Sequence, residues 1–218
     1  MTQTATAADR DLLDILFGPA TQVQTYLNVL YLLLAFPLGI AYFVFLITGI
    51  SFAAGMLIIF IGFPILYLVL MACRALGALE RGMASSMLNI RIPPPAAVPA
   101  KPGFWQGFKA IFANTLTWKS FFYLLLKFPF GIVSFVLVVT TLATSIGLIL
   151  APLTIGITTL DFGWWQVDSK DEATVWCLVG VVLLILSMHL MNGLARVWGR
   201  FAQIMLGPDD PVPAAPSR

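Results

Sequence analysis

Three polar side chains stand inside runs that are otherwise apolar: Lys127 in YLLLKFPFGIV, and His189 and Asn192 in LLILSMHLMNGLAR. In lipid, a lysine can pair with a carboxylate, a histidine can hold haem or relay a proton, and an asparagine can hydrogen-bond between helices. Lys127 lies about one and a half turns into its run from the basic end, so its four-carbon stem is expected to carry the ammonium back to the interface. His189 and Asn192, three apart and so on one helical face, are expected to make an interhelical hydrogen bond in preference to haem binding or a proton relay. A second group, Asp161, Trp164, Trp165, Asp168, Asp171 and Glu172, lies in TIGITTLDFGWWQVDSKDEATVW. Paired indoles beside carboxylates form a candidate sensing surface outside the membrane. The same composition also describes an interfacial aromatic belt with a solvated acidic loop.

Other chemistry has little to stand on. There is one histidine, and Cys73 and Cys177 match no zinc or redox spacing, so a His/Cys metal cage is not expected. The sequence contains no GxxxxGK[ST], HExxH or G-x-S-x-G pattern and no paired carboxylates within an apolar run, which argues against an enzyme. No catalytic residue, metal or cofactor is assigned. The basic residues fit membrane topology first, so no nucleic-acid partner is expected. The cysteines fall near opposite ends of their runs, and a disulfide between them is not expected either.

The elements that position these residues are written in the composition. Of 218 residues, 60% are hydrophobic and 10% charged, against about 25% charged in soluble domains, so the solvent is lipid. The first 25 residues lack the pattern of a secretory signal, and Met1 is expected to be retained. Segments at about 27–49, 53–73, 121–142 and 173–195 are long and apolar enough to span a bilayer as helices. Residues 143–160 are also uncharged, but six basic residues between Arg74 and Lys119, with Glu80 the one acid among them, mark a cytoplasmic loop. Arg196 and Arg200 follow the last run. An even number of crossings puts both Arg-flanked ends inside, so 143–160 is expected to pack on the bundle or leave it.

The sequence YLLLAFPLGIAYFV at 31–44 returns as YLLLKFPFGIVSFV at 123–136, identical at ten of fourteen places and offset by 92. Leu76–Leu88 aligns more loosely with Leu194–Leu206 at an offset of 118, so the second half carries about 26 extra residues near 156–182. The expected fold is an all-α membrane protein with four transmembrane helices as two duplicated hairpins. Pro37 and Pro129 are placed to kink the first helix of each hairpin, and Gly39 and Gly131 to permit close approach. A tail at 1–21 precedes a domain at 22–207, and 208–218 is a disordered tail. Within the domain, hairpin one covers about 27–90, a proline-rich extended linker 91–103, and hairpin two about 104–207. Phe104, Trp105, Phe108, Ile111, Phe112 and Leu116 recur at helical spacing and predict an amphipathic helix on the inner leaflet. The external segment, 154–172, is read as a loop or small β-hairpin: strands at Thr154–Leu160 and Trp164–Val167, a turn at 161–163, and a Ser169/Glu172 capping box that starts the fourth helix. Leu76–Leu88 and Leu194–Leu206 continue helices two and four into the cytoplasm.

The blocks YLLLAFPLGIAYFVFLITGIS, TWKSFFYLLLKFPFGIVSFVLVVTTLA, WWQVDSKDEATVWCLVGVVLLILSMHLMNGLAR and RFAQIMLG together resemble the sensor-domain family found ahead of the transmitter region in actinobacterial-type two-component histidine kinases. The resemblance covers about 22–207 and implies a four-helix membrane input module with no defined ligand. GPDDPVPAAPSR after Leu206 contains no phospho-accepting histidine or ATP-binding region, so a stand-alone protein passing its signal to a separate polypeptide is expected. Expected partners are the lipid bilayer and a separate histidine kinase, response regulator or other membrane protein, with a homodimer compatible. The cytoplasmic membrane is the expected location, with both termini cytoplasmic. The alternative function is a structural or accessory subunit of a larger membrane complex. A carrier built from the two halves ranks last, because they are parallel and lack a polar pathway.

Overall fold

The computed structural model describes residues 18, 22–94, 103–154, 160–161, 166–167 and 170–208, with backbone alone at 154, 160–161 and 166–167. Helix α1 (Val23–Gly55) ends in a 3-10 turn at Met56–Ile59, where Phe60 takes a left-handed φ of 62° and reverses the chain into α2 (Gly62–Met87). Short helix α3 (Phe104–Phe112) leads into α4 (Thr115–Thr154), and α5 (Lys170–Leu206) closes the bundle. The four long helices are each apolar and long enough to cross a membrane. The first, third and fourth run beyond the predicted spans at both ends; the second, predicted from 53, begins at Gly62, because residues 53–59 finish α1 and form the 3-10 turn, and it runs on to Met87.

The solvent that this surface expects is apolar. Val44, Phe52, Val133, Val136, Leu153, Val182 and Leu186 point outward, while Thr25, Glu80, Lys127, Ser134, Ser145 and Ser187 are buried. In water that distribution would leave large contiguous apolar patches exposed; in hydrocarbon it satisfies polar groups inside the protein and apolar groups against lipid tails.

Close approach between α1 and α4 is set by glycine. A Cβ on Gly39 would lie 2.8 Å from the Lys127 carbonyl oxygen, and one on Gly131 would lie 2.6 Å from the Ala35 carbonyl oxygen. Gly131 is Gly39 plus 92, and Lys127 is Ala35 plus 92, so each contact is the other with the halves exchanged. The same holds for Phe36–Phe135 and Phe43–Phe128, whose ring centroids are 4.8 and 4.7 Å apart. Burial class also agrees at every position from 31/123 to 47/139 except Leu38/Phe130, with Pro37 and Pro129 both on the exposed side.

One open alternative is decided and two predicted details change. Residues 143–154 pack on the bundle: they continue α4, Ala151 packs with Ala173 and Trp176, and Gly180 lets α5 approach Leu148 and Ile149. Thr154 therefore closes a helix, and the described strand pairing is short: β1 (Leu160–Asp161) is antiparallel to β2 (Gln166–Val167), with Leu160 opposite Val167 and Asp161 opposite Gln166. Asp161 thus belongs to a strand rather than to the turn. The helix predicted from Phe104 to Leu116 breaks at Asn114, whose Oδ1 accepts from the Leu116 N–H at 3.0 Å and starts α4. Helix α3 also packs its rings on Phe63 and Tyr67, near the α1–α2 turn, with Phe112 against Trp118 at the start of α4. The helix predicted to lie on the inner leaflet thus packs its rings on α2. Helix α5 does begin at Lys170, beside the predicted start, while Ser169 lies outside the described residues. The continuations of α2 to Met87 and α5 to Leu206 are present as unbroken helix.

Candidate functional site: a buried ion pair in an aromatic box

Lys127 does not snorkel. It is fully buried and forms a salt bridge with Glu80, which is equally buried. Burying one charge costs several kcal/mol, and the geometry offsets that cost only when the partner and its remaining lone pairs are satisfied. Here they are. The Tyr42 hydroxyl donates to Glu80 Oε1 at 2.7 Å, the Tyr123 hydroxyl reaches Oε2 at 3.4 Å, and the Tyr31 and Tyr123 hydroxyls are 3.2 Å apart. Around the ammonium stand the rings of Tyr31, Tyr42, Tyr123 and Trp198, with centroids 5.1 to 6.0 Å from Nζ. These π faces solvate a cation without water.

Each of the four long helices contributes to this box: Tyr31 and Tyr42 come from α1, Glu80 from α2, Tyr123 and Lys127 from α4, and Trp198 from α5. The position carrying Lys127 on α4 carries Ala35 on α1, at the offset of 92, and the position carrying Glu80 on α2 carries Trp198 on α5, at the offset of 118. Trp198 Nε1 donates to Ser134 Oγ at 2.8 Å, the counterpart of the Tyr42–Glu80 bond, since Ser134 is Tyr42 plus 92. Lys127 and Glu80, one from each half, form the charged pair, and at the exchanged positions stand a small residue, Ala35, and an indole, Trp198.

A second polar cluster ties α1 to α5. Asn28 Nδ2 donates to Asn192 Oδ1 at 2.8 Å, and Asn192 Nδ2 donates to Thr25 Oγ1 at 3.0 Å. Gln24 Nε2 donates to Asn28 Oδ1 and to the Met87 carbonyl. Asn192 therefore makes the expected bonds between helices. His189 Nδ1 is 2.9 Å from the Ile185 carbonyl one turn back on its own helix.

The candidate external surface is only partly described. Asp171 and Glu172 occupy the first turn of α5, where carboxylates complement the helix dipole. Asp161 is placed by its backbone in β1, and Trp164, Trp165 and Asp168 lie outside the described residues. Among the described residues no group of three or more His, Cys, Asp or Glu side chains is arranged to hold a metal, and Cys73 and Cys177 are free thiols.

Sequence reasoning did not single out Glu80, Tyr42, Tyr123, Trp198 or Ser134 as partners of Lys127. The usable signal was present: Glu80 is the one acid between Asp14 and Asp161. A lone acid on one helix and a lone base within an apolar run on another are natural partners where lipid isolates both.

Comparison with curated proteins gives no match, and neither does comparison with solved structures. A match does come from a family profile, which spans residues 31–206, from the first tyrosine of the aromatic box to the last residue of α5. That span takes in α1 from Tyr31 on, the whole of α2, α4 and α5, and every residue of the box, and by it the chain belongs to the family described as "Putative sensor".

Proposed function

We propose that the protein is a multi-pass sensor-like input module of the cytoplasmic membrane that passes an extracytoplasmic or membrane stimulus to a separate cytoplasmic polypeptide, without catalysis of its own. The observation that carries this reading is the buried Lys127–Glu80 pair at the place where all four long helices meet. A charged pair in an apolar core is seldom a gain in stability over well-packed hydrophobic residues, and its best-attested use is to specify one packing arrangement over another. An element that holds one register strongly and releases it when one charge is lost is what a two-state transmitter needs.

The topology is supported by the basic residues from the middle of α2 onward and in the second half of α5, Arg74 and Arg81 on one and Arg196 and Arg200 on the other, with Arg91 just past α2; the positive-inside rule favours the cytoplasm for both termini. An origin by duplication of one hairpin is supported by the contacts that recur with the halves exchanged, Gly39–Lys127 with Gly131–Ala35 and Phe43–Phe128 with Phe36–Phe135. The partner class proposed is a separate histidine kinase or response regulator; membership of a sensor family supports a signalling role and names no partner.

The test measures distances between spin labels at S86C and Q203C, on the exposed faces of the far ends of α2 and α5, in a background with C73A and C177A, reconstituted in bilayers. One distance population is expected with Glu80 present, and a second population or a shift in E80Q. An unchanged distribution in a folded E80Q protein removes the switching role and leaves the pair as a packing device, as an accessory subunit would have it.

A further inference from the structure

Between the start of α1, the end of α2 and the last third of α5 lies a cleft of about 240 Å³ lined by Gln24, Asn28, Asn89, Asn192 and Arg196, with Leu88, Ile90 and Ala195 as its apolar wall. Its hydrogen-bonding balance is lopsided. Asn28 and Asn192 spend their carbonyl oxygens and one N–H each on the chain that ties α1 to α5, and Gln24 gives its Nε2 to Asn28 and to the Met87 carbonyl. Each Asn Nδ2 carries two hydrogens and uses one there, and Asn89 adds a further amide. Arg196 gives only its Nε to the Asn192 carbonyl, at 3.2 Å, leaving the guanidinium Nη groups. Among the described lining residues there is no carboxylate. Donors and one fixed positive charge are in surplus, and a guest rich in acceptors and negatively charged is the complement.

Part of this polarity has a counterpart in the other half, where Asn28 and Asn192 become Ser120 and Arg74, and Arg74 donates to Thr117 as Asn192 donates to Thr25. Gln24, Arg196 and Asn89 become Leu116, Ala78 and Gly207 there, by the offsets of 92 and 118. Those three polar side chains are particular to this cleft. Asn89 moreover holds a left-handed φ of 51°, which places an amide side chain where a glycine would be the least strained choice. We propose that the cleft is a binding site for a phosphate-class oxyanion, with Arg196 as the charged ligand and the Asn28, Asn89 and Asn192 amides as neutral donors. The oxyanion is presented either by the headgroup of an anionic phospholipid or by a free phosphorylated solute. The volume suits a headgroup or a small phosphate better than a drug-sized molecule, for which pockets of about 300–1,000 Å³ are usual.

The test uses the full chain in phosphatidylcholine nanodiscs. One arm measures retention of added phosphatidylglycerol by native mass spectrometry, and the other measures binding of inorganic phosphate by calorimetry at fixed ionic strength. R196Q is compared with wild type and with R200Q, an exposed arginine on the same helix outside the cleft. N89G supplies a second variant that suits the backbone and removes only the side-chain donors. Loss of a charge-assisted contact is expected to weaken binding about tenfold or more in R196Q, less in N89G, and not in R200Q. Selective loss in the lipid arm assigns a headgroup, and selective loss in the phosphate arm assigns a free solute. Absence of saturable binding in both arms, or equal loss in R196Q and R200Q, overturns the proposal.

Discussion

Glu80 and Lys127 have to be judged together, since each is tolerable in the core only because of the other. K127M leaves the Glu80 carboxylate buried with only two tyrosine hydroxyls beside it, and E80Q leaves an ammonium among rings. Each single change is expected to cost about 3–5 kcal/mol, while E80Q/K127M together recover most of that loss, because no unpaired charge remains. Equilibrium unfolding of the reconstituted or detergent-solubilised protein measures both. Additive losses in the double variant would mean that the two side chains act independently, contrary to their salt bridge. The amide chain between α1 and α5 belongs at this scale as well. N192L removes two hydrogen bonds and strands the Asn28 and Thr25 partners, with an expected loss of about 1–2 kcal/mol by the same measurement. Asn192 was legible in sequence as a polar residue on an apolar face. Its partners were not, because they lie 164 and 167 residues away, a separation that no local pattern encodes.

At the scale of elements, the crossing of α1 and α4 depends on two glycines that face each other's neighbouring backbone. G39A and G131A each place a methyl group within 2.8 Å of a carbonyl oxygen, so the helices must separate, and a loss of about 1–3 kcal/mol is expected for each. G147A is the control. A Cβ there meets nothing within 4 Å, and the higher helix propensity of alanine is expected to leave stability unchanged or raise it by up to about 1 kcal/mol. Equal losses at all three positions would show that helix propensity and not close approach governs the response. The FPxG blocks announced where this contact would be, since small residues permit it in lipid-facing helices. The sequence did not announce that α4 continues to Thr154, because an uncharged stretch reads equally as helix, as loop or as a further span. Packing of Ala151 on Ala173 and of α5 over Leu148 decides for helix.

For the whole molecule, orientation is the property that charge placement predicts. Cysteines introduced at Arg91 and Arg200, both exposed, are expected to react with a membrane-impermeant maleimide only after the cytoplasmic side is opened, and one at Asp171 to react from outside. Labelling of the Arg200 site from outside would leave an odd number of crossings and undo the topology. The number of long helices, their approximate limits and the glycines at which a helix can come close are legible in the chain itself; that α1 and α4 are the pair that meets there is not. Hydrocarbon admits few solutions to the backbone's hydrogen-bonding demand, and a run of about 20 apolar residues therefore has little choice but a helix. What Lys127 does was not legible. A lysine at that depth has two outcomes of similar cost, reaching out to the interface or pairing within, and local sequence contains both. Only the packed bundle brings Glu80 from α2, Tyr31 and Tyr42 from α1 and Trp198 from α5 to one point. Charge–charge attraction falls off with distance in space and is indifferent to separation along the chain.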